Sequence, residues 1–77
     1  MKLQKQIILD NVDKVKAFVV TVSKYPGDAT LVSGRYVVDA KSIMGIFSLD
    51  LSKPINLNIH AEENIDEIMT VLAPYII

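Results

Sequence analysis

Few side chains in this 77-residue chain can do chemistry, and their types narrow the choice quickly. There is no cysteine, so thiol nucleophiles, iron–sulfur clusters, disulfides and cysteine-type zinc sites are excluded. The one histidine, His60, lies in the alternating stretch Ile55–Ala61, on the side opposite the apolar residues. That places it on a wet strand face, far from the other polar clusters. Two other groups remain. Asp10, Asn11, Asp13 and Lys14 stand together before and inside an apolar periodic segment, and Ser42 stands before Ile43-Met44-Gly45. A hydroxyl, amide or carboxylate at a helix start caps the helix, and the same place favours an anion. No P-loop, GxGxxG or zinc-type spacing occurs, and Ser33-Gly34 reads as a turn, not a nucleophile elbow.

The elements that position these groups follow from periodicity. Leu3–Leu9 reads as a strand, with Leu3, Ile7 and Leu9 on one face and Gln4, Gln6 and Ile8 on the other. Asp10-Asn11 supplies an N-cap. Val12, Val15, Phe18, Val19 and Val22 then form one helical stripe, although the β-branched run Val19-Val20-Thr21-Val22 opposes helix by propensity. Pro26-Gly27-Asp28 ends that element. Ala29–Val32 and Arg35–Asp39 read as a hairpin turning at Ser33-Gly34. Ser42 caps a short segment, Ile43–Leu49, in which Ile46 and Leu49 are expected in the core. After Lys53-Pro54, Ile55, Leu57, Ile59 and Ala61 alternate with Asn56, Asn58, His60 and Glu62. Asn64 and Glu67 have the spacing of a capping box. Ile65, Ile68, Met69, Leu72 and Ile76 form the last stripe, and Pro74 is expected to stop the helix near Ala73 and leave Tyr75–Ile77 as a tail. The order is β-α-β-β-α-β-α, an α+β arrangement with one sheet face covered and the other wet.

The segment Ser23-Lys24-Tyr25, and above all Lys41-Ser42-Ile43-Met44-Gly45 followed by Ser48-Leu49, resembles HPr, the histidine-containing phosphocarrier family of the bacterial sugar phosphotransferase system. The resemblance covers nearly the whole chain as one domain, 1–77. It implies an HPr-like open-faced sandwich: a four-stranded antiparallel sheet in order 1-4-2-3 with three helices on one face. It also resolves the valine-rich segment as helix. The family's reaction uses a histidine just inside the first helix, in the pattern His-x-Arg-Pro. A neutral imidazole attacks phosphorus near pH 7, and the helix start and the arginine hold the phosphate. Counting back from Ser23-Lys24-Tyr25 without gaps, Asn11 falls at the histidine, Asp13 at the arginine and Lys14 at the proline. An amide is no phosphoryl acceptor, and Asp13 repels phosphate where the family supplies a cation. The resemblance therefore implies a degenerate site with no catalytic residue, and a chain that is not an enzyme. Asp10 or Asp13 forming an acyl phosphate is the alternative chemistry there, against a plain role as helix-start carboxylates.

Ser42 matches the serine that a dedicated kinase phosphorylates in many Gram-positive relatives, where the phosphoprotein becomes a corepressor. Its other reading is the helix cap alone. Ile43, Met44 and Phe47 match positions that dock partners in the family, with core packing as the alternative. The expected function is thus a protein-binding, regulatory HPr-like module. Its rivals are a phosphocarrier with an unusual acceptor and a structural or oligomeric subunit. Implied partners are proteins: an enzyme I-like protein, an HPr-kinase-like protein or a transcriptional regulator, with a homodimer also open.

Composition agrees with that frame. Eight Lys+Arg against nine Asp+Glu gives a net charge of −1, which offers no basic excess for nucleic acid. Lys2, Lys5, Lys14, Lys16 and Lys24 are interspersed with carboxylates and read as solvated faces. The apolar fraction is 51%, with mean hydropathy +0.34, yet no wholly apolar run exceeds four residues. A spanning helix needs about 20. With no leader-like N-terminus, the expectation is a cytoplasmic protein with no membrane association, cofactor or metal.

Overall fold

A computed structural model describes residues 2–77. Its elements are β1 (Lys2–Ile7), α1 (Val12–Val22), β2 (Asp28–Ser33), β3 (Tyr36–Asp39), α2 (Ile43–Phe47), β4 (Ile55–His60) and α3 (Ile65–Leu72), followed by a 3₁₀ turn at Ala73–Tyr75. The four strands form one antiparallel sheet in the order β1-β4-β2-β3. This is the open-faced α+β sandwich expected from the sequence.

Alternation along the strands decides which face is covered. Ile55, Leu57 and Ile59 of β4 are buried, and so are Ile7, Ala29 and Leu31 on its neighbours. They meet Val15, Phe18 and Val22 of α1, Ile46 of α2, and Ile68 and Leu72 of α3 in one apolar core. The opposite face carries rows set by register. Lys2, His60 and Asp28 share one row, and Gln4, Asn58, Thr30 and Asp39 share the next. The third row, Gln6, Asn56, Val32 and Val37, ends in two valines, and the rest of this solvent-facing side is mostly polar.

The β-branched run of α1 is tolerated because packing outweighs propensity. Val22 is buried, and the Thr21 hydroxyl donates to the Ala17 carbonyl at 2.8 Å, which satisfies it within the helix. The loop after α1 is fixed by Lys41, whose Nζ donates to the carbonyls of Tyr25 (2.9 Å) and Gly27 (3.0 Å). Gly27 has φ +102°, and a Cβ there would run into the His60 carbonyl. Only glycine fits that close approach.

The structure corrects the sequence reading at several points. β1 ends at Ile7, although Leu9 still faces the core. Val12, the first residue of α1, is 52% exposed, and the buried stripe of the helix begins at Val15. The hairpin turns at Gly34-Arg35, closed by the Ser33–Tyr36 pair, with φ +59° at Gly34. Positive φ at the first central position and not at Arg35 is the II′ type that matches strand twist. Asn64 makes no capping box. It adopts φ +62°, and its side chain makes no cap hydrogen bond. The tail is no loose end. Ile76 bridges to Ile7, the Ile8 N–H donates to the Tyr75 carbonyl at 2.9 Å, and the Ile77 N–H donates to the Gln6 carbonyl at 3.1 Å. No helix among the described residues is long and apolar enough to cross a membrane.

Candidate functional site

The candidate site has two parts, the start of α1 and the surface of α2, and these helices touch each other. At α1, the strand-to-helix connection leaves Asn11 extended (φ −150°, ψ 164°). Its Oδ1 accepts from the Lys14 N–H at 2.8 Å. The amide therefore satisfies a helix-start donor that would otherwise be free. Lys14 Nζ lies 3.0 Å from Asp10 Oδ1, one helical turn away. The hydrogen bond from Lys14, then its charge, holds the Asp10 carboxyl below its ordinary range. Asp13 completes the first turn as an exposed carboxylate. The local field is thus a carboxylate pair with one cation already engaged.

Beside this turn runs a shallow groove lined by Asn11, Val12, Asp13, Lys14, Ala17, Pro74 and Tyr75. Tyr75 comes from the tail, and its ring stands edge-on to Phe18 (centroids 5.6 Å apart, 84° between planes). Sequence reasoning missed the contribution of Pro74 and Tyr75. Nothing local marks a residue that reaches the site by pairing with a distant strand.

At α2, Ser42 is extended (φ −104°, ψ 109°), and its Oγ accepts from the Gly45 N–H at 3.2 Å. The expected cap is present. Ser42 is half-buried. The Ser48 hydroxyl closes the other end by donating to the Gly45 carbonyl at 2.6 Å. Ile46 and Leu49 are buried, as expected. The three docking candidates divide. Met44 is 77% and Phe47 41% exposed, while Ile43 is half-buried against the core. A five-residue helix pins one apolar side inward and leaves the other to solvent.

His60 lies elsewhere, exposed on the open sheet face in the row with Lys2 and Asp28. It does not approach the start of α1, because that helix covers the opposite face. Tyr25 of the Ser23-Lys24-Tyr25 segment lines a small pocket under the Pro26-Gly27 loop. Partial burial, then the charge of Glu67, pushes its hydroxyl up, so it stays neutral. Among the described residues, no cluster of histidines and carboxylates could hold a metal ion.

Comparison with known proteins decides the family. Residues 13–76 match the model of the PTS HPr component phosphorylation site. The chain belongs to the HPr family. Two solved structures resemble it across almost its whole length. HPr-C-His from Thermoanaerobacter tengcongensis is 25% identical, with a TM-score of 0.74 over 96% of this chain and 88% of that one. The phosphocarrier protein HPr from Bacillus anthracis is also 25% identical, with a TM-score of 0.72 over 100% of this chain and 96% of that one. The histidine-containing phosphocarrier protein of Mycoplasma shares the fold at 15% identity, with a TM-score of 0.68 over 96% and 89%. No curated protein sequence matches significantly. The HPr family is one of phosphocarriers that work with other proteins of the phosphotransferase system. Its match here begins at Asp13, just past Asn11.

Proposed function

We propose that this HPr-family protein is a regulatory, protein-binding module that does not carry a phosphoryl group on its first helix. One observation carries the reading: Asn11 occupies the start of α1, and its amide oxygen is committed to the Lys14 N–H. The amide nitrogen has no lone pair for attack on phosphorus, because it is delocalised into the carbonyl. Asp10 and Asp13 add negative charge where a phosphate would arrive, and Lys14 is already paired with Asp10. On this reading the family scaffold is kept while its acceptor is gone.

What remains usable is α2. Met44 and Phe47 offer an exposed apolar pair beside Ser42, and methionine and aromatic side chains suit adaptable protein interfaces. Ser42 keeps the local sequence of the family's regulatory serine. Phosphorylation there would add negative charge next to that apolar pair and change which partner it accepts.

Phosphoenolpyruvate and enzyme I, incubated with the protein and with an HPr that has its histidine, test the first claim. The control acquires an acid-labile phosphate, and this chain acquires none. A hydroxylamine-sensitive phosphate on Asp10 or Asp13 would establish the rival carrier chemistry instead. Mass spectrometry after treatment with an HPr kinase and ATP tests Ser42, and its absence from the phosphopeptides would leave only the cap.

A further inference from the structure

The two edges of the sheet are treated differently. The β1 edge is partly covered by the tail, through the Ile7–Ile76 bridge and the hydrogen bonds of Tyr75 and Ile77, and it carries Lys2 and Lys5. Lysines and covering segments are ways by which proteins blunt an edge. The β3 edge has neither device. Its sequence Tyr36-Val37-Val38-Asp39 contains no lysine or proline, no described strand pairs with its outer side, and Tyr36 and Val37 are 65% and 63% exposed.

Hydrogen-bond alternation shows what this edge offers. Ala40 N–H donates to the Ala29 carbonyl at 2.9 Å, so the 29/40 pair is a hydrogen-bonded one. Pairs alternate along an antiparallel ladder. The Leu31–Val38 and Ser33–Tyr36 pairs are therefore hydrogen-bonded, and Thr30–Asp39 and Val32–Val37 are not. The N–H and C=O of Val37 and the N–H of Asp39 point away from the sheet. The Asp39 carbonyl already accepts from the Ser42 N–H at 3.0 Å.

We propose that the outer edge of β3 pairs antiparallel with the same edge of a second copy of this chain, about a two-fold axis through Val37. In that register Val37 exchanges both backbone hydrogen bonds with its symmetry mate. Arg35 stands opposite Asp39 of the second copy, twice, and Tyr36 stands opposite Val38, an aromatic–β-branched pair. Shifting the axis to Tyr36 sets Arg35 against Val37, and shifting it to Val38 sets Asp39 against Val37. Each shift loses both charge pairs. The strip is short, so the association is weak and concentration-dependent. It lies on the sheet edge and does not depend on the reading of Asn11 or Ser42.

Sedimentation of the full chain over a wide concentration range tests this. Wild type shifts from monomer towards dimer. R35D alters an exposed turn residue that makes no ion pair among the described residues, and it places carboxylates against Asp39. V37K brings two ammonium groups together at the axis. Each weakens association by about tenfold, with unchanged thermal melting of the monomer. D39K alone also loses dimer, but mixed with R35D it restores association, because both cross-pairs again have opposite charge. A wild type that stays monomeric at millimolar concentration, an R35D that associates as wild type does, or folded R35D and D39K that stay monomeric when mixed would overturn the proposal.

Discussion

The start of α1 and the start of α2 are both capped by a short polar side chain, and they differ in what surrounds the cap. Asn11 has carboxylates on either side and one paired lysine, and the helix behind it buries Val15, Phe18 and Val22. Ser42 has no charged residue in the helix it starts, and that helix turns Met44 and Phe47 outward. The same local device thus serves a charged, core-anchored end in one place and an apolar, outward surface in the other. On the proposed reading, the second of these places is the one suited to meeting a protein.

The largest effect expected from this contrast compares two phenylalanines. Phe18→Ala should cost about 3–5 kcal/mol, since it empties a fully buried site against Tyr75. Phe47→Ala should cost less than about 1 kcal/mol in denaturant unfolding while reducing partner capture. Similar losses from both would mean that Phe47 belongs to the core. Next come the caps. Asn11→Ala and Ser42→Ala should each lower stability by about 1 kcal/mol, read as a shift in the denaturant midpoint. An Asn11→His variant sharpens the contrast further: if the proposed correspondence holds, with Asp13 at the place of the family's arginine, it should still fail to accept phosphate efficiently from enzyme I.

The smallest effect concerns pH. Asp10 is held below its ordinary value of 3.8 by Lys14, so its contribution is present above that pH and is lost as pH falls through the lower folded value. Both groups are well exposed, and salt screens the pair. The difference in melting temperature between wild type and Asp10→Asn should therefore be small at pH 6 and vanish towards pH 2. A difference that grows on acidification would reverse the assignment.

Much of this was legible in the residues. The alternation of Ile55, Leu57 and Ile59 with Asn56, Asn58 and His60 gave both the strand and its wet face, because period two maps directly onto the two sides of a sheet. The caps at Asn11 and Ser42 were readable for the same reason: their partners lie three residues on. The failures were of another kind. Val12 fits the helical stripe, but periodicity does not say which turn of the helix first meets the core, and that turn begins at Val15. Asn64 has the spacing of a capping box, yet its backbone takes the left-handed turn that spacing does not encode. Tyr75 enters the groove beside Asn11 through a pairing with Ile8, which no local pattern contains.

The sheet order also governs when this chain can fold during synthesis. Among the described residues β1 has β4 as its one strand neighbour, and the outer side of β1 is clasped by Tyr75–Ile77. β1 leaves the ribosome well before β4 and Tyr75–Ile77, and must wait for them before it has anything to pair with. The β2–β3 hairpin can close early, whereas the core around Ile7 and Leu9 must await the emergence of β4. Loop closure over that distance is slow compared with hairpin formation. Until then β1 is unpaired, and Ile7 and Leu9 have no complete core to enter.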